Sequence, residues 1–140
     1  MIADKAVLAE NQESWKGVEI LRQKVHVPIY VPILGYVPQG IEALFTADAE
    51  HNLPFVHACA VLNDALKQLE REGRFNCNSI FLGALLSASK DKLPWKDFTV
   101  IEEAVKRRNG IAHHGEIVPR EDCWRFTDAI RDELVSLKIL

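Results

Sequence analysis

Residues 52–73 read NLPFVHACAVLNDALKQLEREG, and their periodicity decides the fold class. Phe55, Ala58, Cys59, Leu62, Ala65, Leu66 and Leu69 recur every three or four positions. That spacing makes one stripe along an α-helix, whereas a strand would scatter the same residues over both faces. Asn52 and Pro54 form a start signal, because proline's fixed φ and missing N–H suit only the first helical turn. Gly73 supplies a left-handed stop. The stretch therefore predicts an amphipathic helix that needs other helices to cover it.

Working outward, the same grammar repeats. SIFLGALLSASK (79–90) is apolar on most faces, with Asn78 placed to cap it and Pro94 bounding it. It is expected to be the central and most buried helix. Thr99 and Glu102 have capping-box spacing ahead of Val100, Ile101, Ala104 and Val105. Pro119 opens a last helix with Glu121 and Asp122 in its first turn, where negative charge suits the macrodipole. Cys123, Phe126, Ile130, Leu134 and Leu137 are its inward stripe. Toward the N-terminus, ADKAVLAENQESWKGVEILRQKV (3–25) carries Val7, Leu8, Trp15, Val18 and Leu21 at roughly helical spacing. Between these parts, HVPIYVPILGYVPQG (26–40) holds three prolines that forbid a regular helix. It reads as an extended apolar connector that either packs along the domain or joins a subunit contact, the first being the preferred reading, followed by a short helix in IEALFTADAEHN (41–52). The sum is an all-α, compact helical bundle of about five helices. It forms a single domain over 1–140, with the N-terminal helix and proline-rich connector in 1–39 and a helical core in 40–140.

Composition sets the outer limits. The formal charge of −3 over 140 residues argues against non-specific coating of DNA, though a local basic patch is compatible with it. No apolar run approaches the roughly 20 residues of a membrane span, and the N-terminus lacks the apolar segment of a signal peptide. Cys59, Cys77 and Cys123 are odd in number and form no CxxC pair, so neither a disulfide framework nor a zinc knuckle is expected. These features fit a cytoplasmic protein with no membrane partner and no cofactor.

The chemistry concentrates in KRRNGIAHHGE (106–116). The simplest account is a charged helix end. Cations near a C-terminus each stabilise a helix by about 0.3–1 kcal/mol, and Asn109-Gly110 or His114-Gly115 can serve as the stop. A functional account starts from spacing. Asn109 and His113 are four apart and share a face if the helix continues, so the amide can orient the imidazole. Arg108 lies about 140° around the same helix from His113. It needs a bend at Gly110, its own reach, or a second copy of the helix to meet the imidazole. An imidazole beside a guanidinium suits RNA cleavage without metal. Histidine exchanges a proton near neutral pH, arginine binds phosphate oxygens bidentately, and the RNA's 2′-hydroxyl is the nucleophile.

These residues resemble the motif of the HEPN family (higher eukaryotes and prokaryotes nucleotide-binding domain): an Arg, four to six residues, then a His, commonly with a polar residue straight after the Arg. Here that string is RNGIAH, Arg108 to His113, closing a late helix and followed by one last amphipathic helix. The resemblance covers roughly Gly40 to Leu140. It implies a helical bundle that dimerises, bringing two motifs into one cleft, and a metal-independent endoribonuclease of toxin–antitoxin, defence or RNA-processing type. Carried over, His113 is the acid/base, Arg108 the phosphate contact and Asn109 the polar orienter. Products would be a 2′,3′-cyclic phosphate and a 5′-hydroxyl. Arg107 and His114 are secondary candidates, as is Asp64 in the role of a supporting acid on an earlier helix. The implied partners are RNA, a second copy of the chain and an antitoxin protein. One departure is that Ile111 stands two residues before His113, where toxins silenced by nucleotidylation carry Tyr. The chief alternative is a non-catalytic HEPN-like module that binds RNA, a nucleotide or a protein.

Other constellations are weaker. His57 and Cys59 are two apart on a helix and point in different directions, and His51 lies outside that helix, so no metal site is expected. The His-His-Gly-Glu run at 113–116 lacks a second ligand pair. Trp15, Trp95 and Trp124 read as packing residues rather than base-stacking platforms. No Gly-rich phosphate loop or base-reading helix is present.

Overall fold

The computed structural model describes residues 1–26 and 50–140, and among them it is all-helical. Five helices follow in order: α1 (Lys5–His26), α2 (Asn52–Arg71), α3 (Leu82–Ser89), α4 (Phe98–His114) and α5 (Arg120–Ser136). The proline-rich connector expected over 26–39 and the short helix expected from residue 41 lie outside the described residues beyond His26 and before Glu50.

α2 is the helix around which the others assemble, and it packs against each of the other four. Phe55, Ala58, Cys59, Leu62, Ala65, Leu66 and Leu69, the stripe read from the sequence, are all fully buried. Val61 and Gln68 widen the buried arc. The helix ends as expected at a left-handed Gly73 (φ 78°). The Arg74 N–H returns to the Leu69 carbonyl and the Gly73 N–H to the Glu70 carbonyl, both at 3.0 Å, which is a Schellman closure.

α1 runs antiparallel to α2. The Glu72 carboxylate, just past the end of α2, accepts the Ala3 and Asp4 backbone N–H groups at 2.7 and 3.1 Å. It thereby meets the positive N-terminal end of α1. Asp4 Oδ1 also accepts from the Ala6 and Val7 N–H groups. Trp15 and Val18 then bury against the core.

Two local expectations are corrected. The segment 79–90 is not the central helix, because α3 begins only at Leu82 and buries just Leu82, Leu85, Leu86 and Ser89. Ser79 Oγ accepts the Phe81 N–H instead, a local turn that competes with helix. Ile80 and Phe81 stay 68% and 75% exposed, so Asn78 caps nothing. The Thr99–Glu102 capping box is also not used. The cap is Asp97, whose Oδ1 accepts the Val100 N–H at 3.3 Å. Long-range help moves this start upstream: the buried Glu133 carboxylate of α5 accepts the Lys96 and Asp97 N–H groups at 3.0 and 2.8 Å. α5 itself matches its reading, with Cys123, Phe126, Ile130, Leu134 and Leu137 buried.

Two outcomes are expected. The Ala3 backbone bond, then the Gln68 and Asp4 bonds and Arg74's charge, hold the Glu72 carboxyl below its usual range. Its stabilisation is therefore present above the ordinary glutamate pKa, about 4.3, and is lost as pH falls through the folded value. Urea unfolding at pH 7 and pH 3 should show wild type losing more stability over that interval than Glu72→Gln; equal losses would remove Glu72 from the acid response. Glu133→Ala should cost about 1–3 kcal/mol in the same assay, because two backbone donors at the start of α4 lose their acceptor. Glu133→Gln, which keeps an acceptor oxygen, should lose less.

Candidate functional site at the end of α4

α4 runs without a break to His114, so Gly110 neither ends nor interrupts it. The stop is Gly115, left-handed at φ 62°. The Gly115 N–H and, at 3.3 Å, the Glu116 N–H both return to the Gly110 carbonyl. His113 and His114 thus occupy the last turn of α4. Both are exposed, and no hydrogen bond or ion pair reaches either among the described residues.

The expected bond from Asn109 to His113 is not formed. Asn109 Oδ1 accepts from Arg108 Nη1 at 3.2 Å, so the amide steadies the guanidinium rather than the imidazole. The reason is reach: Arg108 is the adjacent residue and brings five donors, while His113 turns outward in the last turn. The two arginines differ in their electrostatics. Arg107 pairs with Asp122 of α5 at 3.5 Å. Arg108, half-buried, meets no carboxylate among the described residues and has only the neutral amide as partner. Its charge is felt on the α2 side of α4. Burial pushes the Cys59 thiol up to about 12, a rise that Arg108 opposes and Cys123 reinforces. At neutral pH Cys59 is therefore a thiol and not a nucleophile.

The loop after the motif is held by a contact that no local sequence signal announces. Asn52, at the start of α2, accepts the Val118 N–H at 3.0 Å and donates Nδ2 to the Val118 carbonyl at 3.2 Å. This reciprocal, buried pair fixes the chain between α4 and α5. Beside it, Arg120 Nε donates to His51 Nε2 at 2.6 Å, and His51 lies edge-on to Trp124 with ring centroids 5.4 Å apart. Trp124 also carries Arg22 over its ring, 4.7 Å from the centroid. Within the loop, the Glu116 carboxylate lies across Gly110, its Oε2 only 2.1 Å from where a Cβ would stand.

The remaining sequence candidates are dispersed. Asp64 is exposed and lines a groove between α2 and α1, with no hydrogen bond or ion pair to the motif. His57 sits against α1, its Cε1 3.0 Å from the Cβ position of Gly17. Among the described residues no group of three or more His, Cys, Asp and Glu side chains is arranged to hold a metal ion. Trp15 is buried, and the half-buried Trp95 donates its indole N–H to the Ser89 carbonyl at 3.2 Å. The chain matches no protein-family model, no curated protein and no solved structure.

The two glycines of this segment should respond oppositely to alanine. Gly110→Ala has helical geometry, and the nearest atoms its Cβ meets are those of the flexible Glu116 carboxylate, so stability should rise by up to about 1 kcal/mol as the carboxylate swings outward. Gly115→Ala forces a left-handed L-residue and should cost about 1–2 kcal/mol. Urea titrations of the two variants check this, and a loss at 110 exceeding that at 115 would overturn the assignment of Gly115 as the stop.

Proposed function

We propose that the chain is a metal-independent endoribonuclease of HEPN type, acting as a homodimer whose cleft combines Arg108 of one protomer with His113 of its partner. The observation that carries this reading is the state of Arg108: a half-buried guanidinium steadied by a neutral amide and left without an acid among the described residues. On the neighbouring face, by contrast, Arg107 is matched to Asp122 and Arg125 to Glu103. An unmatched one keeps its charge for an external anion such as phosphate. His113 is exposed on the same helix but about 140° away, so a straight α4 turns the two groups apart within one chain. A two-fold axis beside the end of α4 resolves that divergence.

In this reading, His113 withdraws the proton of an RNA 2′-hydroxyl as its oxygen attacks the adjacent phosphorus. Arg108 binds the non-bridging oxygens as charge builds on them. The 5′-oxygen departs and takes up a proton, leaving a 2′,3′-cyclic phosphate and a 5′-hydroxyl. Asn109 is a positioning residue acting through Arg108. The same divergence within one chain is what favours the second reading, a non-catalytic module that binds RNA through the exposed end of α4.

The test is cleavage of single-stranded RNA in EDTA. His113→Ala and Arg108→Ala should each lose about 10²–10⁴-fold. His113→Ala should leave the fold unchanged, since the side chain is exposed. Subunits of the two inactive variants, exchanged by mild denaturation and refolding, should regain about a quarter of wild-type activity, because half the dimers are mixed and each mixed dimer holds one complete site. Activity that survives both substitutions would sink the assignment. Loss without complementation would place both groups in one chain's site, and a wild type that binds RNA without cutting it would establish the module instead.

A further inference from the structure

Two residues at the end of α4 are poor choices for a stable helix. Gly110 is buried inside α4 and neither ends nor interrupts it, since the stop is Gly115. A glycine in a helix interior costs stability relative to alanine, because it loses more backbone freedom on folding. Glu116 follows the C-terminus of the same helix, where the macrodipole is negative and a carboxylate is unfavourable. No hydrogen bond or ion pair reaches that carboxylate among the described residues, so no bonded cation offsets the repulsion.

The two choices fit each other. The Glu116 carboxylate fills the space that an alanine at 110 would need, with Cδ 2.8 Å and Oε1 3.5 Å from the position of a Cβ. The Glu116 N–H also returns to the Gly110 carbonyl at 3.3 Å, so backbone and side chain of Glu116 fold back onto the same residue. Stability accounts for neither the glycine nor the acid. Local preferences broken as a pair are expected where a side chain is placed for chemistry.

That placement sets the carboxylate one turn before the histidines. His113 and His114 are three and four residues after Gly110, so their Cβ atoms stand about 5–6 Å from the Cβ position of 110. Helical Cα–Cβ bonds tilt toward the N-terminus, so side chains of the last turn lean over the turn that begins at Gly110. His113 and Glu116 are both exposed, and rotation of their side chains closes the remaining gap without a backbone shift. His113 also needs a partner. The amide with the right spacing, Asn109, is taken by Arg108, and Asp122 is engaged by Arg107 and Arg125.

We propose, resting on the ribonuclease reading, that Glu116 is the positioning residue for His113 of its own chain. Its carboxylate accepts from His113 Nδ1–H and so leaves the Nε2 lone pair facing the RNA 2′-hydroxyl. When Nε2 takes the 2′-proton, the carboxylate stays ionised and faces the charge that forms on the ring. Gly110 is then the residue that makes room for this acid, at a cost in helix stability.

The test uses the full chain with two variants, Glu116→Ala and Gly110→Ala. The first removes the acid, and the second keeps it but displaces it. Both should be at least as stable as wild type in urea, yet each should lose about 10–100-fold in kcat on single-stranded RNA with KM little changed, a part of what the imidazole contributes. A merely structural role would not lower turnover in a protein that is no less stable. Nitrogen-15 spectra of the RNA-free protein in mildly alkaline solution give a second readout. His113 should be mainly the Nδ1–H tautomer, the reverse of a free imidazole's preference, and should revert to Nε2–H in both variants. Wild-type turnover in both variants, an Nδ1–H signature on His114 instead of His113, or a His113 tautomer indifferent to Glu116 would each overturn the proposal. A wild type that cuts no RNA would sink the ribonuclease reading, while the tautomer still decides whether Glu116 and His113 are paired.

Discussion

The constraint on which the structure depends is that α2 must be covered on most of its circumference. Phe55, Ala58, Cys59, Leu62, Ala65, Leu66 and Leu69 reach zero or near-zero exposure only because four helices close around them. No single neighbour could shield so wide an arc. α1 takes one side, α5 a second, and α3 and α4 complete the enclosure. Everything polar is then displaced to the ends of α2 and to its margins. Glu72 closes one end against the start of α1, and Asn52 closes the other against Val118. The α4 motif is attached to this second end, so the frame that holds the core also holds the candidate site.

That attachment explains why the motif separates into two electrostatic classes. Arg107 and Arg125 share the acids of the α4–α5 interface, where Glu103 and Asp122 face them. The bond to Glu103, with Asp122's charge, keeps the Arg125 guanidinium protonated more firmly than usual despite partial desolvation. Arg108 is turned one residue further round, where its charge acts on Cys59 of α2 and no carboxylate meets it among the described residues. One step along the helix therefore decides whether an arginine is neutralised by the fold or keeps its charge.

Legibility varied with the range of the interaction. The α2 stripe, its Gly73 stop and the α5 stripe were readable because each depends on residues within two turns of one another, whereas the stop of α4 stayed open between Gly110 and Gly115 until the structure placed it at Gly115. The starts of α3 and α4 were misplaced because longer-range or competing bonds overrode a local cap. Ser79 holds a turn ahead of Leu82, and Glu133, more than thirty residues away, gathers the N–H groups before Phe98. At the motif, the four-residue spacing of Asn109 and His113 correctly placed them on one face. It could not show that the amide would turn to Arg108 instead.

The amino-acid sequence by itself determined the helical class, the inward faces and the cluster of cations and imidazoles at the end of α4, since periodicity and punctuation are local properties of the chain. Only the tertiary structure decided which helix became the centre, that Arg107 meets Asp122 while Arg108 meets no acid among the described residues, and that Asp64 belongs to an α1–α2 groove rather than to the motif. Those outcomes depend on which surfaces meet, and they rest on pairs such as Asn52 with Val118 and Glu72 with Ala3, sixty-six and sixty-nine residues apart. Separations of that length leave no periodic trace along the chain, because the contact is made by burial of the core and not by the residues between.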